Sequence, residues 1–213
     1  TNDQGRTWTA RNTGLTNRSI NALASTGATV YAGTQGGVFR SSDNGLNWTA
    51  VNSGLQRTAV LSLTLSGNTV YAGTDNGLFR STNQGNTWAE VSTGLTDRYI
   101  VALGLAPDGT SLLAGTSSGL FRSSIAGGNQ GQSWTAVTQG LPERVVVLTF
   151  AQQGRRLLAG TVNGFFVSED NGASWRQING GLLTLQVGAL AVSGDTVLAG
   201  TRSGGVFVST LPQ

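Results

Sequence analysis

Three residue types that carry much of protein chemistry are missing from this sequence. The 213-residue chain has no Cys, no His and no Met, and its 13 basic residues are all Arg. Without Cys there is no disulfide, thiol nucleophile or zinc–thiolate site. Without His the commonest metal ligand and the commonest general base are gone, and with them imidazole-based nucleophilic triads. Pro is scarce, at 3 residues. No apolar run approaches the ~20 residues that cross a bilayer as a helix, so no membrane span is expected. No charged-then-apolar leader opens the chain, so a secretion signal is expected to be absent from it or already removed.

Charge is low as well. The isoelectric point of 10.2 resembles that of a nucleic-acid binder, yet it follows from the bases being Arg. Net charge is only +3, and Arg155-Arg156 is the one adjacent basic pair. No basic stripe emerges, and nucleic-acid binding is excluded from the expected functions.

What is abundant is Gly, with 32 residues, alongside Thr, Ser, Asn and Val. That mixture favours short strands joined by tight turns. The chain also repeats itself. Tryptophans stand at Trp8, Trp48, Trp88, Trp134 and Trp175, spaced by 40, 40, 46 and 41. The tripeptide Ala-Gly-Thr recurs at 32–34, 72–74, 114–116, 159–161 and 199–201. A phenylalanine follows each time (Phe39, Phe79, Phe121, Phe166, Phe207), and a Gly-Leu pair recurs at 14–15, 54–55, 94–95, 140–141 and 181–182. Four markers, each present five times in one order, define a repeat.

Within one unit, "SINALAS" (19–25) alternates with a period of two, "TVYAGT" (29–34) is β-branched and aromatic, and "GGVFRSS" (36–42) and "WTAVN" (48–52) complete four strands. The connections are as short as hairpins require, and no helical spacing is visible. Repeats of about 40 residues, each a four-stranded sheet, predict a β-propeller, for which ~4–8 blades is usual. The fold expected is therefore all-β: one five-bladed propeller over 1–213 of four-stranded antiparallel blades. The blades are placed at 13–52, 53–92, 93–138, 139–178 and 179–213 plus 1–12. In three units Trp follows Phe by 9 residues, which would put the Trp after Phe207 at position 216. Residues 1–12, with Trp8, are expected to supply that strand and close the ring.

Aligned on tryptophan, the turns read TNDQGRTW (1–8), SSDNGLNW (41–48), STNQGNTW (81–88), GGNQGQSW (127–134) and SEDNGASW (168–175). Asp3, Asp43, Asn83, Asn129 and Asp170 can fold back onto backbone N–H groups of their own turn. Gly5, Gly45, Gly85, Gly131 and Gly172 supply a position expected to need positive φ. The tryptophan then starts the outer strand and plugs the gap between blades. Asn replaces Asp twice, and only Asp titrates, so capping rather than chemistry explains the position. A calcium site would need several oxygen ligands per loop, and each turn offers one carboxylate or two, so no metal and no cofactor are expected.

These turns resemble the Asp-box, or BNR, repeat, Ser-x-Asp-x-Gly-x-Thr-Trp, of sialidase-like propellers. The resemblance runs through the whole chain at the repeat period. That superfamily includes glycosidases, sortilin-like receptors and photosystem assembly factors, and the chain is similar in character to short bacterial relatives of the last group. The resemblance implies Asp-box turns on one face and ligands on the opposite face, near the channel. It also implies a secreted or periplasmic bacterial protein.

At that channel mouth the register places Arg18, Arg98 and Arg144, each three residues after the marker leucine, with Arg57 one position earlier in its unit. The loops after Ala-Gly-Thr add Gln35, Asp75, Ser117, Val162 and Arg202, and Tyr99 lies close by. A partial ring of guanidinium groups would suit carboxylate or sulfate ligands through two-pronged pairing. Alternatively these Arg are solvated, or pair with Asp75, Asp97 and Glu143. A second series, Arg40, Arg80 and Arg122, follows the marker Phe and is replaced by Val167 and Val208, which suggests a packing position. A sialidase, as the resemblance implies, would need an arginine triad, a tyrosine–glutamate pair and an acidic aspartate. Its Phe/Tyr-Arg-Ile-Pro signature is absent, and Asp75 and Glu143 are the nearest carboxylates by register. The function expected is a non-catalytic, lectin-like binding or scaffold propeller, recognising glycans or an anionic or protein partner at the mouth or in the inter-blade clefts. The alternatives are a sialidase-like glycosidase and a protein–protein assembly module.

Overall fold

The computed structural model describes residues 5–56, 58–127 and 130–211. Among them there is no helix, and so none long and apolar enough to cross a membrane. Nineteen strands form five antiparallel sheets, each ordered as the chain runs, innermost strand first. The first sheet holds β1 (Ile20–Thr26), β2 (Thr29–Thr34), β3 (Gly37–Ser41) and β4 (Thr49–Ala50). The second holds β5 (Val60–Ser66), β6 (Thr69–Thr74), β7 (Gly77–Ser81) and β8 (Ala89–Glu90). The third holds β9 (Ile100–Leu105), β10 (Ser111–Thr116), β11 (Leu120–Ser124) and β12 (Thr135–Val137). The fourth holds β13 (Val147–Gln153), β14 (Arg156–Thr161), β15 (Gly164–Ser168) and β16 (Arg176–Gln177). The fifth holds β17 (Val187–Ser193), β18 (Thr196–Thr201) and β19 (Gly205–Thr210). These sheets are the blades of a β-propeller.

A two-faced sheet of short strands cannot bury its apolar residues alone, so the core lies between blades. Tyr31, Val38 and Val51 of the first blade meet Val60, Val70, Ala72, Phe79 and Trp88 of the second, around Leu55 of the connection. The same positions recur at the next three junctions. Ala-Gly-Thr recurs because each residue serves this junction. A Cβ on Gly33 would lie 2.6 Å from Val60 Cγ1, and one on Gly115 would lie 2.7 Å from Val147 Cβ. Only Gly lets the next blade's innermost strand approach so closely. The threonine turns the corner: Thr34 Oγ1 donates to the Gly37 carbonyl (2.9 Å) and accepts from the Gly36 amide (3.0 Å). Thr74 and Thr161 repeat both bonds. The innermost strands also share an irregularity near their start, at Ile20/Ala22, Val60/Ser62, Val147/Thr149 and Val187/Ala189.

The expected ring closure is not what the structure holds. The fifth sheet has three strands, not four, and residues 8–12 are not in a strand. Trp8 is 82% exposed, whereas Trp88, Trp134 and Trp175 are buried. The segment does keep the junction with the first blade that Val51 and Ser53 make with Trp88, and Val91 and Thr93 with Trp134. Trp48 donates from its amide to the Thr13 carbonyl (2.9 Å) and from its indole Nε1 to the Arg11 carbonyl (3.0 Å). These bonds hold residues 11–15 against the first blade, and Leu15 is buried there with Ala32, Phe39 and the partly buried Trp48. No buried cluster among the described residues joins the fifth blade to the first.

Candidate functional site

Antiparallel order gives each blade two ends. One carries the first hairpin and the turn before tryptophan; the other carries the turn after Ala-Gly-Thr and the connection to the next blade.

At the first end, the acidic and amide turns have one geometry. Ser41 Oγ donates to Asp43 Oδ1 (2.7 Å) and accepts the Gly45 amide (2.8 Å), while Asp43 Oδ1 accepts the Asn47 amide (2.9 Å). In the next blade Ser81 Oγ donates to Asn83 Oδ1 (2.9 Å), and Asn83 Oδ1 accepts the Thr87 amide (2.9 Å). Ser168, Asp170 and Ser174 repeat it. These donors pull the Asp43 carboxyl down to about 2, the largest contribution coming from the Asn47 side chain. For Asp170, burial pushes the carboxyl up, but the Ser174 and Ser168 hydrogen bonds outweigh it and leave it below its ordinary range. Asp3 and Asn129 lie outside the described residues.

Gly5, Gly45, Gly85, Gly131 and Gly172 all have positive φ, between 80° and 88°. Sequence reasoning missed their neighbours. Asn44, Gln84, Gln130 and Asn171, directly before four of these glycines, are also left-handed, with φ from 47° to 61°. Asn tolerates that region better than most residues, and Asn before Gly in "DNG" was the available signal. It missed the role of the second Arg series too. Arg40 Nη1 donates to the Gln84 carbonyl (2.7 Å), Arg80 Nη1 to the Gln130 carbonyl (3.1 Å) and Arg122 Nε to the Asn171 carbonyl (3.0 Å). Each arginine reaches across to the next blade and holds the left-handed residue of its turn. This end is a set of clamps.

The second end is the one where the sequence register puts the expected channel mouth. Arg18 and Arg98 stand two residues before their innermost strands and Arg144 three before its own, so all three lie at this end, and all are exposed. Arg57 lies outside the described residues. Arg98 is engaged: Nη2 is 2.7 Å from Glu90 Oε1 and donates to the Asn76 carbonyl (3.0 Å), and Nε donates to Asn76 Oδ1 (3.2 Å). Asp75 Oδ1 accepts the Ala59 amide (3.1 Å) at the start of its own blade's inner strand. Tyr99 is 46% exposed, and its amide donates to Asp97 Oδ1.

Asp97, weighed from the sequence only as an arginine partner, turns out to organise this region. Its Oδ2 accepts from Ser117 Oγ (2.7 Å) and Ser118 Oγ (2.8 Å). Burial pushes its carboxyl up, yet the bonds from Ser117, the Tyr99 amide, Ser118 and Thr116 prevail and hold it below its ordinary range. A carboxylate so held stays charged and is a poor general acid.

Comparison with known proteins places the architecture. The model of a family described as the DUF6242 beta propeller domain matches residues 1–95. No curated protein matches the chain. Among solved structures, the chain is similar to the extracellular domain of BT4673 from B. thetaiotaomicron, with TM-score 0.74 and 18% identity, over 90% of this chain and 27% of that one. It is also similar to the GH74 xyloglucanase from Xanthomonas campestris, with TM-score 0.70 and 19% identity, over 94% and 37%. A third is YCF48 bound to D1 peptide, with TM-score 0.66 and 16% identity, over 90% and 63%. At these identities the likeness is one of fold, and the chain spans about a quarter to two thirds of the structures it matches.

Proposed function

We propose that this propeller is a non-catalytic binding or scaffold module whose mouth-side loops receive an anionic group of a protein or glycan partner. One observation carries the reading: Asp75 and Asp97 are committed to structure, while Arg18 and Arg144 stand in solvent, with the exposed Glu143 beside Arg144. Asp97 caps the Tyr99 amide and two serines, and Asp75 caps Ala59. Exposed Arg18 and Arg144 make no hydrogen bond or ion pair among the described residues, and Arg98 is steered along the rim by Asn76 and Glu90. Planar guanidinium groups pair with carboxylates in two-pronged fashion. Two similar structures support it: YCF48 is seen bound to a peptide, which fits recognition of a protein partner, and the BT4673 match is an extracellular domain, which fits a role outside the cytoplasm.

The test replaces Arg18, Arg98 and Arg144 together by Ala and screens both proteins against acidic peptides and a mixed glycan array. The expected result is an anionic hit that weakens with salt and is lost in the triple variant. A neutral-sugar hit that survives the change would move the site to the clefts between blades. Hydrolysis of a sialoside by the unmodified protein would overturn the reading in favour of an enzyme.

A further inference from the structure

One arginine of the clamp series is bonded differently from the other two. Arg40 spends a terminal nitrogen on the next blade: its Nη1 donates to the Gln84 carbonyl (2.7 Å) and to Asn86 Oδ1 (3.0 Å). Arg80 also uses Nη1, on the Gln130 carbonyl. Arg122 instead reaches the Asn171 carbonyl through Nε (3.0 Å), and its two terminal nitrogens make no hydrogen bond or ion pair among the described residues. The sequence supplies a cause. Counted from the capping Asp or Asn, the position of Asn86 in the second blade's turn is Ala173 in the fourth. A methyl group accepts no hydrogen bond, so the guanidinium fork of Arg122 lacks the side-chain acceptor that Arg40 finds.

Beside that fork a cleft of about 550 Å³ runs along the outer edge of the third and fourth blades, lined by Arg122, Ser124, Thr135, Thr138, Gln139 and Ala173. The junction beneath it is complete, with Val147 and Trp175 buried. Arg122 and Thr135 are cross-strand partners, so both side chains face the fourth blade. Thr135, Thr138 and Gln139 are exposed, and their side chains make no hydrogen bond among the described residues. Hydroxyl and amide groups both donate and accept, which is the complement of a sugar ring's hydroxyls. A guanidinium fork is the complement of a carboxylate. The Asp108 carboxylate, whose charge is felt by Arg122, is turned to Thr110, accepting its amide (2.9 Å) and its Oγ1 hydroxyl (2.7 Å). The volume falls within the ~300–1,000 Å³ usual for small-molecule sites.

We propose that this cleft binds an acidic sugar, its carboxylate held by the Arg122 fork and its hydroxyls by Thr135, Thr138 and Gln139. The site does not rest on the mouth-side arginines, none of which lines it.

NMR titration of the whole chain tests this, following the Arg122 Nε–H and Thr135 amide signals with glucuronate, glucose and inorganic sulfate. Glucuronate should shift both signals and bind at least about tenfold more tightly than glucose, the effect of one hydrogen-bonded charge. Sulfate should bind more weakly than glucuronate, because it leaves the hydroxyl wall unused. Arg122→Val places at this position the residue that the fourth and fifth blades carry as Val167 and Val208, and should abolish the Thr135 shift. Ala173→Asn, at an exposed position, restores the acceptor that Arg40 has and should weaken glucuronate at least about tenfold with Arg122 still present. Far-ultraviolet circular dichroism should be unchanged in both variants. The variant lacking Arg18, Arg98 and Arg144 should bind glucuronate as the unmodified protein does, which separates this site from the mouth. The proposal is overturned if glucuronate moves neither signal, or if its binding survives either cleft substitution or is lost with the mouth arginines. Sulfate binding as tightly as glucuronate, or an acidic peptide binding more tightly, would equally overturn the assignment to a sugar.

Discussion

The middle blades and the end blades are built from one repeat, yet they live in different surroundings. Between the second and fourth blades each tryptophan is enclosed, each Ala-Gly-Thr glycine presses on a β-branched side chain, and each innermost strand begins buried. In the first blade Ile20 and Leu23 meet solvent, and in the fifth Val206 and Val208 do. The comparison teaches that a propeller blade has no private core. Burial belongs to junctions, so identical residues stabilise in the middle and idle at an open end.

The strongest way to break this contrast is to remove tryptophans. Trp134→Ala should cost roughly 3–5 kcal/mol of unfolding free energy, the range for deleting a buried large aromatic. Trp8→Ala should change stability by no more than about 0.5 kcal/mol, as at other exposed positions. Denaturant unfolding measures both. Equal losses would mean that Trp8 is enclosed in solution.

Glycine provides the next test. Gly115→Ala places a Cβ 2.7 Å from Val147 Cβ and should cost about 1–3 kcal/mol by overpacking. Gly200→Ala meets nothing nearer than Ala189 Cβ at 3.4 Å and should be close to neutral in the same assay.

The clamps give a smaller effect. Asp43→Asn should leave the melting temperature nearly unchanged, because Asn83 makes the same bonds in the neighbouring blade. Asp43→Ala should lower it by a few degrees, since the Asn47 amide and the Ser41 hydroxyl lose their acceptor.

The smallest effect is that of pH. Asp43 falls from an ordinary 3.8 to about 2, and Asp97, Asp108 and Asp170 are also lowered. In that interval the unfolded chain binds more protons than the folded one, so stability rises with pH. The contribution is present above about pH 4 and is lost as pH falls toward about 2. Melting curves across that window should slope less in the Asp43→Asn, Asp170→Asn double variant than in the unmodified protein.

Much of this was legible in the residues alone. Spacing of Trp, Phe and Ala-Gly-Thr determined the repeat, the four-strand order and the number of sheets, because a period near 40 with period-two alternation admits few other architectures. The capping turns were legible too, since Asp, Asn and Gly have strong local preferences that need no distant partner. What only the tertiary structure decided were the relations between blades. Arg40, Arg80 and Arg122 looked like packing residues until their guanidinium groups were found on the next blade's turn. Asp97 looked like an arginine partner and proved to be a cap. Closure by residues 1–12 was a fair inference from spacing, but spacing says which strand is missing and not whether it pairs. Arg11 and Thr13 bond Trp48 as Val51 and Ser53 bond Trp88, in the register the spacing gives, yet residues 8–12 are not paired as a strand. Local patterns follow from local physics; which surfaces meet depends on distances that a one-dimensional pattern does not contain.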